Sequence, residues 1–375
     1  MRYYLIAGEP SGDLHGSNLI RALRDVDSRS SFRLWGGDWM KEAAGEEAVL
    51  IKHYREMAYM GFSEVFRHLG KISQNIHLCK EDLIQNKPDA LILIDYPGFN
   101  LKIARFAKKS GIKTFYYISP KIWAWNESRI HKIKRYIDHM LVIFPFEVPF
   151  YEKYGYRVHY VGNPLLDEVE KQQEILPGRE KWLQQNHLEE KPIIALLAGS
   201  RKQEVQSILK EMVRVTSRFP GFQFVIAGTR WLPEALYAPW LSPNVRIVYN
   251  QTYALLKHAT AAVVTSGTAT LETALWKVPQ IVVYKTGALT YRLSRWVVHI
   301  PFISLVNIIM EKEVVREIIQ EDMPEQISRE LNQILSNEEY RHQMLASYEA
   351  LQQKLGESGA SRRAAESILK ALQAP

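Results

Sequence analysis

The chain has 375 residues, 46% of them apolar and 24% charged. At roughly 100–200 residues per domain this suits two or three globular domains and excludes a disordered, collagen-like or low-complexity chain. One cysteine, Cys79, excludes a disulfide framework and a cysteine-based zinc site and suits a reducing compartment, while the net charge of +7 favours acidic partners such as nucleic acid, an anionic membrane surface or a phosphorylated substrate.

In chain order, Met1 to Ala7 is too short for the core of a signal peptide. Tyr3 to Ala7 reads as a strand, Asp13 to Asp25 as a helix with Leu14, Leu19, Ile20 and Leu23 on one face, and Ser31 to Trp35 as a second strand. Ala90 to Ile94, Thr114 to Ile118 and Met140 to Phe144 are further strands, the first continuously apolar. Such strands separated by helical stretches indicate a parallel sheet covered on both faces. The second half repeats this order with Ile193 to Leu197, Phe222 to Ala227, Val245 to Val248, Ala261 to Thr265 and Gln280 to Tyr284 as strands and Arg201 to Arg218 as a helix. Each half therefore reads as a doubly wound α/β domain. Leu293 to Met310 is apolar but carries Arg295, His299, Pro301 and Asn307, so it fails as a membrane-spanning helix. Pro324 to Leu335, Glu338 to Leu355 and Ser361 to Leu372 make a helical tail. The expected division is an amino-terminal domain over 1–165, a linker over 166–190, a second domain over 191–355, and a last helix over 356–375 that packs back on the first domain or on a partner subunit.

Four strand-to-helix turns carry candidate chemistry. Gly8 to Gly16 follows the first strand and lacks both the GxGxxG and the Gly-Lys-Ser/Thr pattern. Glycine there lets a ligand approach the backbone, and the same residues suit a capped helix start. Asp95 follows a buried strand, where a carboxylate can take a proton from a hydroxyl or anchor a turn. Gly199-Ser200-Arg201 can place a fixed positive charge beside a phosphate, or be an ordinary turn. Ser266-Gly267-Thr268 runs straight into a helix whose free N–H groups suit a pyrophosphate. Glu272 lies one turn on, on the face of Thr268, where a carboxylate can hold both hydroxyls of a ribose. A capped helix with an acidic first turn accounts for the same residues. Phe62, Val65, Phe66 and Leu69 share one helical face flanked by Arg67, His68 and Lys71, which suits either an interfacial helix on an anionic membrane or a helix packed on the core. Arg129, His131, Lys132, Lys134 and Arg135 add a basic stretch. The histidines show no HExxH or similar cluster, so no metal and no cofactor is expected.

Taken together and in order, AGEPSGDLHG (Ala7–Gly16), IDYPGFN (Ile94–Asn100), YYISPKIWAW (Tyr116–Trp125), GNPLLDEV (Gly162–Val169), GSRKQEV (Gly199–Val205), SGTATLETAL (Ser266–Leu275) and VNIIMEKEVVREIIQED (Val306–Asp322) resemble the lipid-A-disaccharide synthase family over nearly the whole chain. The resemblance implies a GT-B glycosyltransferase of two Rossmann-like domains facing a cleft, needing no metal. It implies transfer from UDP-2,3-diacylglucosamine to 2,3-diacylglucosamine 1-phosphate, giving a β-1,6-linked disaccharide 1-phosphate and UDP, in lipid A synthesis of Gram-negative bacteria. It further implies a cytoplasmic enzyme peripheral on the inner membrane, with a homodimer as a candidate state and no nucleic-acid partner. By the same resemblance Asp95 is the general base and Glu9, Ser11, Gly12 and Asp13 lie on the acceptor side. Gly199, Ser200 and Arg201 face the donor phosphates, Ser266, Gly267 and Thr268 hold the pyrophosphate, Glu272 the ribose, and Asn307, Glu317 and Gln320 lie near the donor. With this function the Phe62, Val65, Phe66 and Leu69 face turns to lipid. Ala198 stands where the family often has Pro, and Gly98 replaces an Asp of some members, which leaves Asp95 as the base. The competing enzyme reading is a GT-B transferase or epimerase acting on a soluble UDP-sugar. The non-enzyme reading is an anionic-lipid or nucleic-acid binding module, which leaves the Ser266 to Glu272 turn unexplained.

Overall fold

Short runs without a polar member become strands buried on both faces. Ala90–Ile94 and Ile193–Leu197 have no exposed residue, as parallel strands sandwiched between helices require. They belong to a computed structural model that describes residues 1–57, 69–287 and 301–374. Among the described residues the chain forms two compact units. One is Met1–Asp167 with Glu357–Pro375, the other Glu168–Gly356.

The first unit holds β1 (Arg2–Ala7), β2 (Ser31–Gly36), β3 (Val49–His53), β4 (Ala90–Ile94), β5 (Lys113–Tyr117), β6 (His139–Val142) and β7 (His159–Tyr160). All pair in parallel in the order β3-β2-β1-β4-β5-β6-β7. The strand order reverses between β1 and β4, and the crevice beyond the carboxyl ends of such a pair is where open α/β sheets bind ligands. Proline opens both helices that leave this point, Pro10–Val26 and Pro97–Lys109, where its fixed φ suits a first turn and its missing N–H costs nothing. Beneath them Trp35 is buried and its indole N–H donates to the Tyr4 hydroxyl at 2.7 Å.

The second unit repeats the arrangement with β8 (Ile193–Leu197), β9 (Gln223–Gly228), β10 (Val245–Tyr249), β11 (Ala261–Thr265), β12 (Gln280–Tyr284) and β13 (Glu317–Ile319). The order is β10-β9-β8-β11-β12-β13, again all parallel, with the reversal between β8 and β11. Residues 166–190, expected as a linker, carry the helices Pro164–Ile175 and Arg179–Gln185. Trp182 is buried in the core of this unit and donates to Gln251 at 2.7 Å. An indole that finds both an apolar bed and a polar partner is fixed on the fold, so this stretch is part of a domain.

The last helix, Ala360–Gln373, lies against the first helix of the first unit. The Asp167 carboxylate caps it, accepting from the N–H groups of Gly359, Ala360 and Ser361. Arg363 donates to the carbonyls of Val161 at 2.8 Å and Ser358 at 2.7 Å. Among the described residues no helix is long and apolar enough to cross a membrane.

Candidate active site

At the reversal point of the first unit, the turns after β1 and β4 touch. A Cβ on Gly8 would stand 2.3 Å from the Tyr96 ring, so only glycine allows this approach. Asp95 and Tyr96 both adopt left-handed backbone, with φ of 43° and 47°, a conformation uncommon outside glycine. The turn is held from several sides. The Asp95 carbonyl accepts from Asn100 Nδ2 at 2.7 Å and from the Tyr116 hydroxyl, the Asp95 N–H donates to the Tyr117 carbonyl at 3.3 Å, and the Tyr96 hydroxyl donates to the Met57 carbonyl at 3.0 Å. Asp95 is half-buried.

Glu9 precedes the first helix with extended backbone, Ser11 is exposed in its first turn, and Gly12 is buried against Ala7 and Ile94. Asp13 is turned to backbone. It is 1% exposed, and its carboxylate accepts from the N–H groups of Gly37 (2.7 Å), Met40 (3.1 Å) and Trp39 (3.2 Å). Those groups open the short helix Asp38–Ala44, whose unpaired N–H groups need an acceptor. Burial raises the Asp13 carboxyl, and the three N–H groups pull it back. Asp13 thus fastens the first turn of the helix Pro10–Val26 to the loop after β2.

At the reversal point of the second unit, Gly199 turns the chain out of β8 with φ of 100°. A Cβ there would lie 2.5 Å from Glu204 Oε2 and 3.1 Å from Thr265 Cγ2, so this turn is wedged against the end of β11. Ser200 and Arg201 are exposed. The Glu204 carboxylate accepts from the Arg201 N–H at 3.3 Å and lies 3.6 Å from its guanidinium. After β11, no side chain caps the helix Thr268–Leu275 at Gly267, and nothing lies within 4 Å of where a Gly267 Cβ would stand. Thr268 is exposed. This helix start combines open space with the partial positive charge that attracts anions.

Behind that turn is a buttress of buried hydrogen bonds. The Ser266 hydroxyl donates to the Ile303 carbonyl at 2.7 Å. Glu317 accepts from the N–H groups of Ile303 and Ser304, both at 2.9 Å. Asn307, fully buried, donates to Glu317 and to the Val315 carbonyl, both at 2.9 Å, and accepts from the N–H groups of Val314 (2.8 Å) and Val315 (3.0 Å). Gln320 exchanges two hydrogen bonds with the Thr286 backbone, at 2.9 and 2.6 Å. Glu317, and Asn307 through it, hold the loop whose Ile303 carbonyl takes the Ser266 hydroxyl, while Gln320 holds the backbone of Thr286 after β12. Glu272 is half-buried one turn along the helix and accepts from the Tyr253 hydroxyl at 3.1 Å. Burial raises its carboxyl, the Tyr253 bond lowers it, and the Glu168 charge raises it again.

Phe62, Val65 and Phe66 lie outside the described residues, as does the side chain of Leu69, which opens the helix Leu69–Asn86. Two features escaped the motif reading. Trp231, 52% exposed, donates its indole N–H to the Ser200 carbonyl at 3.2 Å, and Glu147 is buried where the helix Glu147–Glu152 opens after β6. An exposed tryptophan in a loop has no periodic signal to betray it. Among the described residues no three His, Cys, Asp or Glu side chains gather as a metal site requires.

Two Rossmann-like units, each with its candidate turns at the reversal of strand order, define the GT-B class of glycosyltransferases and related sugar-nucleotide enzymes. The fold is similar to that of the UDP-GlcNAc 2-epimerase of Neisseria meningitidis (TM-score 0.66, 14% identity, 99% of this chain and 100% of that one) and of the calicheamicin glycosyltransferase (TM-score 0.61, 16% identity, 99% and 97%). The lipid-A-disaccharide synthetase family matches residues 3–371. Relatives named lipid-A-disaccharide synthase are 39% identical in Trichlorobacter lovleyi, over 99% of this chain and 98% of the relative. In Geobacter sulfurreducens the identity is 37%, over 99% and 97%, and in Coxiella burnetii 37%, over 97% and 96%. The chain belongs to the lipid-A-disaccharide synthetase family and is a glycosyltransferase of lipid A disaccharide synthesis acting on lipid A precursor sugars.

Proposed function

We propose that the enzyme joins UDP-2,3-diacylglucosamine to 2,3-diacylglucosamine 1-phosphate with inversion, releasing UDP. Asp95 takes the proton of the acceptor 6-hydroxyl as its oxygen attacks the anomeric carbon of the donor. The bond from that carbon to the pyrophosphate breaks, and UDP leaves with the electron pair. Negative charge grows on the leaving group, so the groups that speed the reaction are those that meet the charge. The Gly267–Thr268 helix start and Arg201 take that role, and Glu272 holds the ribose. The observation that carries this reading is the uncapped helix start at Gly267, open to space.

The lipid substrates and the +7 charge support a place at the cytoplasmic face of the inner membrane of a Gram-negative cell, where basic proteins are drawn to anionic lipid. A homodimer is part of the same reading.

The test is UDP release from the purified protein given both lipids in the presence of EDTA. Release that needs both lipids, with a disaccharide 1-phosphate as product, is expected. Asp95→Ala should lower turnover by about 10²–10⁴ while UDP affinity holds. UDP binding without release from this lipid pair would refute the assigned substrates, and an active Asp95→Ala enzyme would remove Asp95 as base.

A further inference from the structure

The turn that carries Asp95 is strained, and so is its neighbour. Ile118, just past β5, has φ of 64°, a genuine outlier for a β-branched residue. Such a conformation persists only where its surroundings over-determine it, and it clusters at working sites. Ile118 donates its N–H to the Leu141 carbonyl at 3.2 Å, and the residue before it, Tyr117, accepts the Asp95 N–H. The residue after it, Ser119, donates its hydroxyl to Glu147. Glu147 is 1% exposed, and its second oxygen accepts from the N–H groups of Ile143 at 3.2 Å and Phe144 at 3.0 Å. The carboxyl therefore ties the loop after β5 to the loop after β6. A neutral acceptor would suffice for a simple staple, and burying a carboxyl costs free energy. What a carboxylate adds is stronger hydrogen bonds to the groups it holds.

We propose that Glu147 is a positioning residue for Asp95, fixing the strained Ile118–Ser119 turn and through it the backbone that carries the base. This rests on the reading of Asp95 as the base. Burial pushes the Glu147 carboxyl up to about 7, against the pull of Ser119 and of the Phe144 and Ile143 N–H groups. The titratable groups facing it are Tyr151 on its own helix and Tyr160 on β7. Ionised, Glu147 accepts from all three donors. Protonated, one oxygen must itself donate, and the hold on the turn slackens.

The experiment measures kcat for the two-lipid transfer, UDP affinity and thermal stability in Glu147→Gln, Glu147→Ala, Ser119→Ala and Asp95→Ala, with a kcat profile from pH 5.5 to 8.5. Glu147→Ala should lower kcat tenfold to a hundredfold, the scale of a small misplacement of a reacting group, with UDP affinity unchanged. Ser119→Ala removes one hydroxyl, spares the core, and should lower kcat in the same direction. Glu147→Gln presents the hydrogen bonds of the protonated carboxyl, its amide donating to Ser119, and should therefore hold kcat at the wild type's low-pH level across the profile, without the rise through pH about 7 expected of the wild type. Glu147→Ala or Ser119→Ala enzymes that melt earlier yet keep wild-type kcat would make Glu147 purely structural and overturn the proposal. So would an unchanged profile in Glu147→Gln. An active Asp95→Ala enzyme would instead overturn the assignment of the base, whatever Glu147 does.

Discussion

The Tyr253 hydroxyl donates to Glu272 Oε1 across 3.1 Å, and the Tyr253 ring packs on Trp276 with centroids 6.0 Å apart. The carboxyl proposed to hold the ribose is thus aimed by a phenol that is itself fixed by an indole. Removing the hydroxyl leaves Glu272 to burial and to the charge of Glu168, which both raise it. A ribose hydroxyl is best accepted by an ionised carboxylate. Tyr253→Phe should weaken UDP binding about twofold to tenfold, the net worth of one typical hydrogen bond, and more strongly at pH 5.5 than at 8. Calorimetric titration of UDP at the two pH values checks this, and equal losses at both would refute the role given to the Tyr253 bond.

Asp13 stands in the most recognisable motif of the first unit, yet its carboxylate faces backbone. Asp13→Ala leaves the buried N–H groups of Gly37 and Met40 without their acceptor. Each such loss costs about 1–3 kcal/mol, and each kcal/mol is worth about 2–4 °C in a unit of this size. Thermal unfolding should show a drop of roughly 4–24 °C, with activity lost in proportion to folded protein. A variant that melts like the wild type but shows a raised acceptor KM would restore direct contact with the acceptor.

The pattern of apolar runs made most of the strands legible, because a strand covered on both faces writes its burial as an unbroken apolar run, as in Ala90–Ile94 and Ala261–Thr265. The strands that escaped are edge or near-edge ones. His159–Tyr160 is two exposed residues, Glu317–Ile319 is three residues long, and Val49–His53 is partly exposed beside a register shift in β2. Partners far apart in sequence were equally hidden. Nothing local tells that Asp13 meets Gly37, or that Asn307 is locked onto Val314, Val315 and Glu317. The turns at Gly199 and Gly267 were legible as turns because glycine at the end of a buried strand marks left-handed backbone, which both adopt, with φ of 100° and 156°. Glu147 was invisible because its partner Ser119 lies in the loop after a different strand, 28 residues away.

The Asn307–Glu317 pair offers a test of the buttress behind Ser266. Asn307→Ala leaves the N–H groups of Val314 and Val315 and the Val315 carbonyl unpaired, and Glu317→Ala frees those of Ile303 and Ser304. In a double-mutant cycle the two should couple by about 0.5–3 kcal/mol, as residues of one network do. UDP affinity should fall in both, since the loop they hold is what the Ser266 hydroxyl grips. Additive stabilities with unchanged UDP affinity would detach the network from the nucleotide site.

The buried Glu147 carboxyl also links pH to folding. Its pKa in the folded chain, about 7, lies above the usual 4.5, so between those values the native state binds a proton that the unfolded state has released. Stability must fall as pH rises through that window, since it rises with pH only where the unfolded state binds more protons. The contribution is fully present below pH 4.5 and gone above about 7. At about 1.4 kcal/mol for each tenfold change in proton affinity, the whole window is worth roughly 3 kcal/mol. Glu147→Gln cannot titrate and should lack this fall. Denaturant unfolding of both proteins at pH 5 and pH 8 is the measurement: relative to the wild type, Glu147→Gln should gain stability on going to pH 8. A gap between the two proteins that stays constant over that range would mean that Glu147 ionises in the folded chain as it does in the unfolded one. The same ionisation that strengthens the hold on the Asp95 turn would then cost nothing, and the trade between fold stability and a well-placed base would disappear with it.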